Sequence, residues 1–212
     1  ELIEDLCREH SARVDRKTFD VLLKEKREGK SDAFSGAIFE QGPFSTIKER
    51  KEPVTEFLGY GIPISKMDEP GEAIVRQIIR LDKKGLDAYQ KSKKDSLAYI
   101  RLLNSGELAE SADMGVIAVL LDRTTFYGES GGQVGDSGTL TGNAEVRIDD
   151  CKRPDDYFFH LGEITSGTLK VGDKVTAAID ASRRLAIMRN HTGTHILQAA
   201  LRAVLGPNAE QA

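Results

Sequence analysis

At 212 residues, with 39% hydrophobic and 30% charged side chains, the chain has a globular composition sufficient for one large or two modest domains, not a disordered one. No apolar run approaches the roughly 20 residues of a membrane-spanning helix and no secretory signal is visible, so no membrane partner is expected and a cytoplasmic setting is. A net charge of −4 excludes strong nonspecific attraction of the whole surface to DNA or RNA, and two cysteines, Cys7 and Cys151, are too few for a disulfide scaffold.

Residues 1–10 place Leu2, Ile3, Leu6 and Cys7 at helical spacing. A second helix opens at Asp15 as N-cap, runs through Phe19, Leu22 and Leu23, and stops near Gly29. Residues 31–53 hold Gly36, Gly42, Pro43 and Pro53 and read as a linker, with a small basic patch at Lys48-Glu49-Arg50-Lys51. From Val54 the pattern becomes one of short strands: Thr55–Tyr60, Glu72–Leu81, Met114–Asp122, Glu145–Asp149 and Lys174–Ile179, with a turn at Val171-Gly172-Asp173. Leu86–Asn104 interrupts them with helical spacing. The expected fold class is α+β: a helical start, a small antiparallel β-barrel over residues 54–180 with a helical insertion at 86–104, and a further helix after residue 180. The chain opens on Glu1, not methionine, and closes just past Gly206-Pro207, and so reads as a segment of a longer protein.

Two stretches stand out. Residues 128–138 carry five glycines in eleven positions, which permit positive φ and close backbone approach. They form neither a dinucleotide fingerprint nor a phosphate-binding P-loop, and taken alone they read first as a tight barrel connection. Gly131-Gly132-Gln133 also matches the tripeptide of peptide-release factors, although the flanking residues do not. The second stretch is Arg189–Leu197, where His191 and His195 lie four residues apart on one helical face, a spacing that can offer two imidazoles to one metal ion. A solvated polar face that happens to hold two histidines is the alternative. On a helical wheel Ala186, Ile196, Leu197, Ala200, Leu201 and Val204 gather on one side, and His191, His195, Gln198 and Arg202 on the other. The histidines are therefore expected to face away from an apolar stripe that packs into a core.

Together the two stretches carry a resemblance. Val119–Gly138 is similar to the barrel signature of alanyl-tRNA synthetases, and Arg189–Arg202 resembles the first zinc-binding motif of that family's editing domain. Residues 19–29 resemble the close of the synthetase's helical tRNA-recognition domain, and residues 61–112 match poorly. The family's arrangement implies a division into 1–30 (tRNA-recognition helices), 31–53 (linker), 54–180 (barrel) and 181–212 (start of the editing domain). It also implies an alanine–tRNA ligase using ATP and Mg2+ bound outside this chain. What is present here would belong to the module that hydrolyses serine or glycine wrongly attached to alanine's tRNA, an error that a single pocket discriminates weakly. The implied partner is tRNA(Ala), including its mischarged forms.

The resemblance assigns zinc to His191 and His195, with two further ligands from a later Cys-x3-His that has no equivalent before Ala212. Weak or absent metal, and no hydrolysis by this segment alone, are therefore expected. Stoichiometric zinc would overturn the first expectation unless a neighbouring chain completes the site. By the same resemblance Thr194 and Gln211 line the editing pocket, where they orient the aminoacyl group or the attacking water, while Gly131, Gly132 and Gln133 serve substrate binding. A free-standing editing hydrolase and a non-catalytic RNA-binding barrel are the alternatives.

Overall fold

The computed structural model describes residues 41–60, 66–67, 69–91, 98–130 and 133–206. The two amino-terminal helices expected over 1–29 lie outside them, as do Gly131, Gly132 and Gln211. The chain divides into two compact units, residues 1–41 and 42–212, and every described helix and strand belongs to the second.

In chain order this unit comprises α1 (Pro43–Glu49), β1 (Glu56–Phe57), β2 (Gly71–Arg80), α2 (Lys83–Lys91), α3 (Ala98–Ser105), β3 (Glu107–Ala109), β4 (Ser111–Ala112) and β5 (Val116–Leu121). It continues with β6 (Arg123–Thr124), β7 (Gly138–Thr141), β8 (Ala144–Lys152), β9 (Phe159–Gly167), β10 (Leu169–Lys170), β11 (Lys174–Ile179) and α4 (Ala181–Leu205). The fold class is α+β, as the sequence led us to expect.

Six antiparallel strands close a barrel in the order β11-β7-β8-β9-β5-β2, with β2 returning to β11. β2 pairs with β11 at Gly71–Ile74, then hands the same edge to the extra strand β3 at Ile78–Arg80. Closure leaves few unpaired edges, which a small sheet otherwise exposes to aggregation. The strands alternate as barrel strands do: in β8, Ala144, Val146 and Ile148 point in and Glu145 and Arg147 point out. A register shift between Ile148 and Asp150 then turns Cys151 into the core beside Phe126 and Phe158. Burial pushes the Cys151 thiol well above its ordinary value, so it behaves as a small apolar side chain and not as a metal ligand.

β5 departs from alternation. All of Ile117–Leu121 is buried, because its outer face is covered as well. Phe44 of α1 packs edge-on against Phe159 of β9 at 5.8 Å, and Ile100, Leu102 and Leu103 of α3 are buried on the same side of the unit. Helix α1 falls inside the stretch read as linker. Gly42-Pro43 marks its start, since proline at the first helical position loses no hydrogen bond and presets φ. Its opening amides are capped from a distance: Asn104 Oδ1 accepts from Phe44 N at 3.1 Å and Ser45 N at 3.2 Å. The basic patch is the end of this helix, and Lys48 is already committed to an ion pair with Asp155.

The single helix expected over 86–104 is instead two, α2 and α3, with the intervening residues 92–97 outside those described. The start of α2 lies against the end of α3, Gly85 facing Ser105 and Leu102. The expected strand 114–122 begins only after Gly115, whose φ of +85° ends the preceding turn. No helix among the described residues is long and apolar enough to cross a membrane.

Candidate functional site

The glycine-rich loop leaves the barrel after β6 and returns at β7. Its neck is closed by a reciprocal pair of hydrogen bonds: Asp136 N donates to Tyr127 O at 3.0 Å, and Tyr127 N donates to Asp136 Oδ2 at 2.8 Å. Halfway along, Ser130 and Gln133 exchange both backbone hydrogen bonds, at 3.2 and 3.0 Å. Only Gly131 and Gly132 lie between them in the sequence. Glu129 N donates to Cys151 O at 2.9 Å and ties the loop to β8. Gly135 has no room for a side chain, since an added Cβ would press into the Cys151 backbone. Glycine here serves close approach, and Gln133 is left half-buried at the loop's turn.

Beneath the loop's entry sits His160, fully buried on β9. Its Nδ1 lies 3.1 Å from Val119 O, so that nitrogen carries the proton and donates. Its Nε2 then accepts from the Thr124 hydroxyl at 2.8 Å, while Thr124 Oγ1 accepts from Phe126 N at 3.1 Å. Burial lowers the His160 pKa to about 4, with the Val119 carbonyl and the Asp136 charge opposing it only in part. The residue is a neutral internal strut. A lone histidine in a strand carries no pattern, so nothing in the sequence singles it out.

Helix α4 begins where β11 ends. Asp180 caps it, accepting from Arg183 N at 3.0 Å, while Asp180 N donates to Ser137 O at 2.8 Å. Two arginines then fasten its first turn to the glycine loop. Arg183 Nη1 donates to Gly135 O at 2.7 Å. Arg184, 6% exposed, forks onto Asp136, 2% exposed, with Nε to Oδ1 at 2.8 Å and Nη2 to Oδ2, and it also reaches Thr125 O at 3.2 Å. Its guanidinium stands 5.8 Å from the centre of the Tyr127 ring. The sequence expectations include neither Asp136 nor Arg184. The available signal is an acid and a base flanking two motifs, which gains meaning only once the fold brings them together.

Beyond its first two turns α4 stands free of the barrel. The stripe expected to enter a core is exposed instead: Ile196 is 65%, Leu197 59% and Val204 82% accessible. The residues that touch the barrel come from the first two turns, Arg184 chief among them, because no described element lies beside the remainder of the helix. The histidine face is exposed too. His191 and His195 meet edge to face with ring centres 4.7 Å apart, and their Nε2 atoms are 3.1 Å apart. Two ligands of one tetrahedral zinc would be separated by about 3.3 Å, so the pair fits two of the four positions. No group of three or more potential ligands occurs among the described residues. Thr194 is exposed and its hydroxyl donates to Asn190 O at 2.9 Å, which leaves its oxygen free to accept. The loop meets the helix at Arg183 and Arg184, about two turns before His191.

Beside the loop and the foot of α4 runs a groove of about 550 Å³, bordered by Glu129, Val134, Arg147, Asp150, Lys152, Glu163 and Arg183. Its cations are spoken for. Lys152 sits between Glu129 and Asp150, and Arg147 bridges Asp149 and Glu163, each at 3.0 Å. The histidine pair lies outside it.

A family model described as tRNA synthetases class II (A) matches residues 1–183, most of the chain. The chain belongs to this synthetase family. Its similarity to alanyl-tRNA synthetases extends past the matched residues and through α4. The chain is 34% identical over its whole length to an alanine–tRNA ligase of Nostoc punctiforme, of which it covers 21%, and 38% identical, with the same coverage, to that of Acetivibrio thermocellus. Over 121 residues, 56% of the chain and 14% of the relative, it is 47% identical to the alanine–tRNA ligase of Chloroflexus aurantiacus. The chain thus spans about a fifth of the length of the full-length relatives it matches.

Proposed function

We propose that the chain is part of an alanine–tRNA ligase, and that its barrel and helix α4 belong to the module that clears serine or glycine from tRNA(Ala). The parent enzyme would charge tRNA(Ala) with alanine using ATP and Mg2+ bound outside this chain, in the cytoplasm. One observation carries the proofreading reading: a histidine pair with Nε2 atoms 3.1 Å apart, on a helix bolted to the glycine loop. Hydrolysis needs the aminoacyl ester and a water held in one geometry.

Zinc is the metal these two imidazoles suit, and when bound it would supply a Lewis-acid centre for a carbonyl or a water. His191 and His195 would hold it, their Nε2 atoms being the pair that face each other. Thr194 Oγ1, its own proton given to Asn190 O, accepts from the ammonium of the aminoacyl group or from the attacking water. Gln211 would supply an amide to the serine hydroxyl or the ester carbonyl, and Gly131, Gly132 and Gln133 would approach the RNA end through their backbone. Two ligands incompletely surround a zinc ion, so the 212-residue chain alone should bind the metal weakly and hydrolyse little.

The test uses the parent-length protein. Ser-tRNA(Ala) hydrolysis with one equivalent of zinc is expected, and His191→Ala or His195→Ala should lower both zinc content and hydrolysis at least about tenfold. Bound zinc without hydrolysis would refute the proofreading role and leave an RNA-binding barrel.

A further inference from the structure

We propose that Asp136 and Arg184 are positioning residues: their buried ion pair fixes the direction of helix α4, so that the glycine loop and the histidine pair move as one body. The functional meaning rests on the proofreading reading above, but the joint itself does not.

Leverage makes the foot of the helix decisive. α4 has 25 residues and touches the barrel only through its first two turns. At 1.5 Å per residue, His195 stands about 16 Å beyond Arg184, so a tilt of roughly 10° at the foot displaces the histidines by about 3 Å. Chemistry on an ester tolerates far less. The hydrogen bonds from Arg183 and Arg184 join α4 to the barrel at its foot, where a small change of direction is multiplied along the helix.

The foot is built for that. One hydrogen bond at a helix end leaves a swivel, whereas a guanidinium laid flat on a carboxylate through two parallel bonds fixes orientation as well as distance. Asp136 is in turn immobile, because its carboxylate and amide close the loop neck against Tyr127. Arg184 continues from Asp136 to Thr125 O and packs over Tyr127, and Arg183 adds Gly135 O. The residues that Arg183 and Arg184 grip, Thr125, Tyr127, Gly135 and Asp136, all belong to the loop or its neck. An apolar pair could supply comparable stability, as buried ion pairs cost much desolvation. What the pair adds is a unique geometry.

The joint should have a spectroscopic signature in the free 212-residue protein. Spin labels at Ala199→Cys on α4 and Lys170→Cys on the barrel, in a Cys7→Ser background, report the tilt through pulsed dipolar spectroscopy. Cys151 is buried and should remain unlabelled. The parent should give one narrow distance distribution. Arg184→Gln and Asp136→Asn should broaden it by about 4 Å, the sweep of a roughly 10° tilt at Ala199. Arg184→Lys, which keeps charge but not the fork, should fall between. Arg147→Gln, at an ion pair on the barrel's outer wall, should change nothing. Far-ultraviolet circular dichroism and the urea midpoint establish that each barrel is folded. Should Arg184→Gln fail to fold, Arg184→Lys carries the comparison. A distribution as broad in the parent as in the variants, or as narrow in folded variants as in the parent, overturns the joint. Neither result bears on Ser-tRNA(Ala) hydrolysis, and loss of hydrolysis would leave the joint standing.

Discussion

The barrel and the helix that leaves it use the same apolar residues to opposite ends. In the barrel wall Val119 and Leu120 are wholly buried, whereas on α4 Leu197 is 59% and Val204 82% exposed. The barrel satisfies its strands within the chain, by closing the sheet and covering the outer face of β5. The helix satisfies only its foot. Apolar periodicity states that a face wants a partner, and not where the partner is found. Large-to-small substitutions should divide the two regions most sharply. Phe126→Ala, which empties a buried position against His160, should lower barrel stability by about 3–5 kcal/mol in urea unfolding. Leu201→Ala on α4 should change it by less than about 0.5 kcal/mol. Comparable losses would mean that the stripe is packed in solution, and the contrast would collapse.

A second division concerns histidines. His191 and His195 are exposed and available, while His160 is sealed beneath the loop. Folded, His160 gains its proton at about 4, against 6.5 for an ordinary imidazole. Between those values the unfolded chain holds more protons than the folded one, so stability rises with pH across the window. The contribution is complete above about pH 6.5 and is lost progressively toward pH 4, to a total of about 3 kcal/mol. Urea midpoints from pH 7.5 down to 4.5 should therefore fall more steeply for the parent than for His160→Gln, which carries no titrating group. Equal slopes would show that His160 accepts its proton without penalty and is not sealed.

These contrasts explain what is legible in the sequence. Closed strands with alternating faces, such as Lys174–Ile179, announce themselves because the period is local. So does the histidine spacing on α4, since four residues make one turn. The joint is not legible. Asp136 and Arg184 are 48 residues apart, and only barrel closure sets them face to face. Nor is α1, whose Gly42-Pro43 start resembles a loop until Asn104, far along the chain, is seen to cap it. Leu86–Asn104 reads as one helix because periodicity on both sides of a polar run does not show whether the run itself is helical. The stripe of α4 is apolar, as its spacing says, but the burial expected of it is not found.

The smallest expected effect is the most pointed, because one substitution should have opposite signs in the two regions. Gly135 lies where the loop presses on β8, and a methyl group there would enter the space of the Cys151 carbonyl. Gly135→Ala should cost about 1–3 kcal/mol and disturb the Arg183 contact at the foot of α4. Gly193 lies mid-helix with nothing within 4 Å of an added Cβ. There glycine only adds backbone freedom to the unfolded helix, so Gly193→Ala should stabilise α4 by about 0.5–1 kcal/mol. Because the upper helix is free of the barrel, that gain should appear locally. Amide exchange around His191–Leu197 should slow about two- to fivefold while the barrel's urea midpoint stays put. A shift of the barrel midpoint with Gly193→Ala would show that helix and barrel unfold together, and that the joint at Arg184 transmits stability as well as direction.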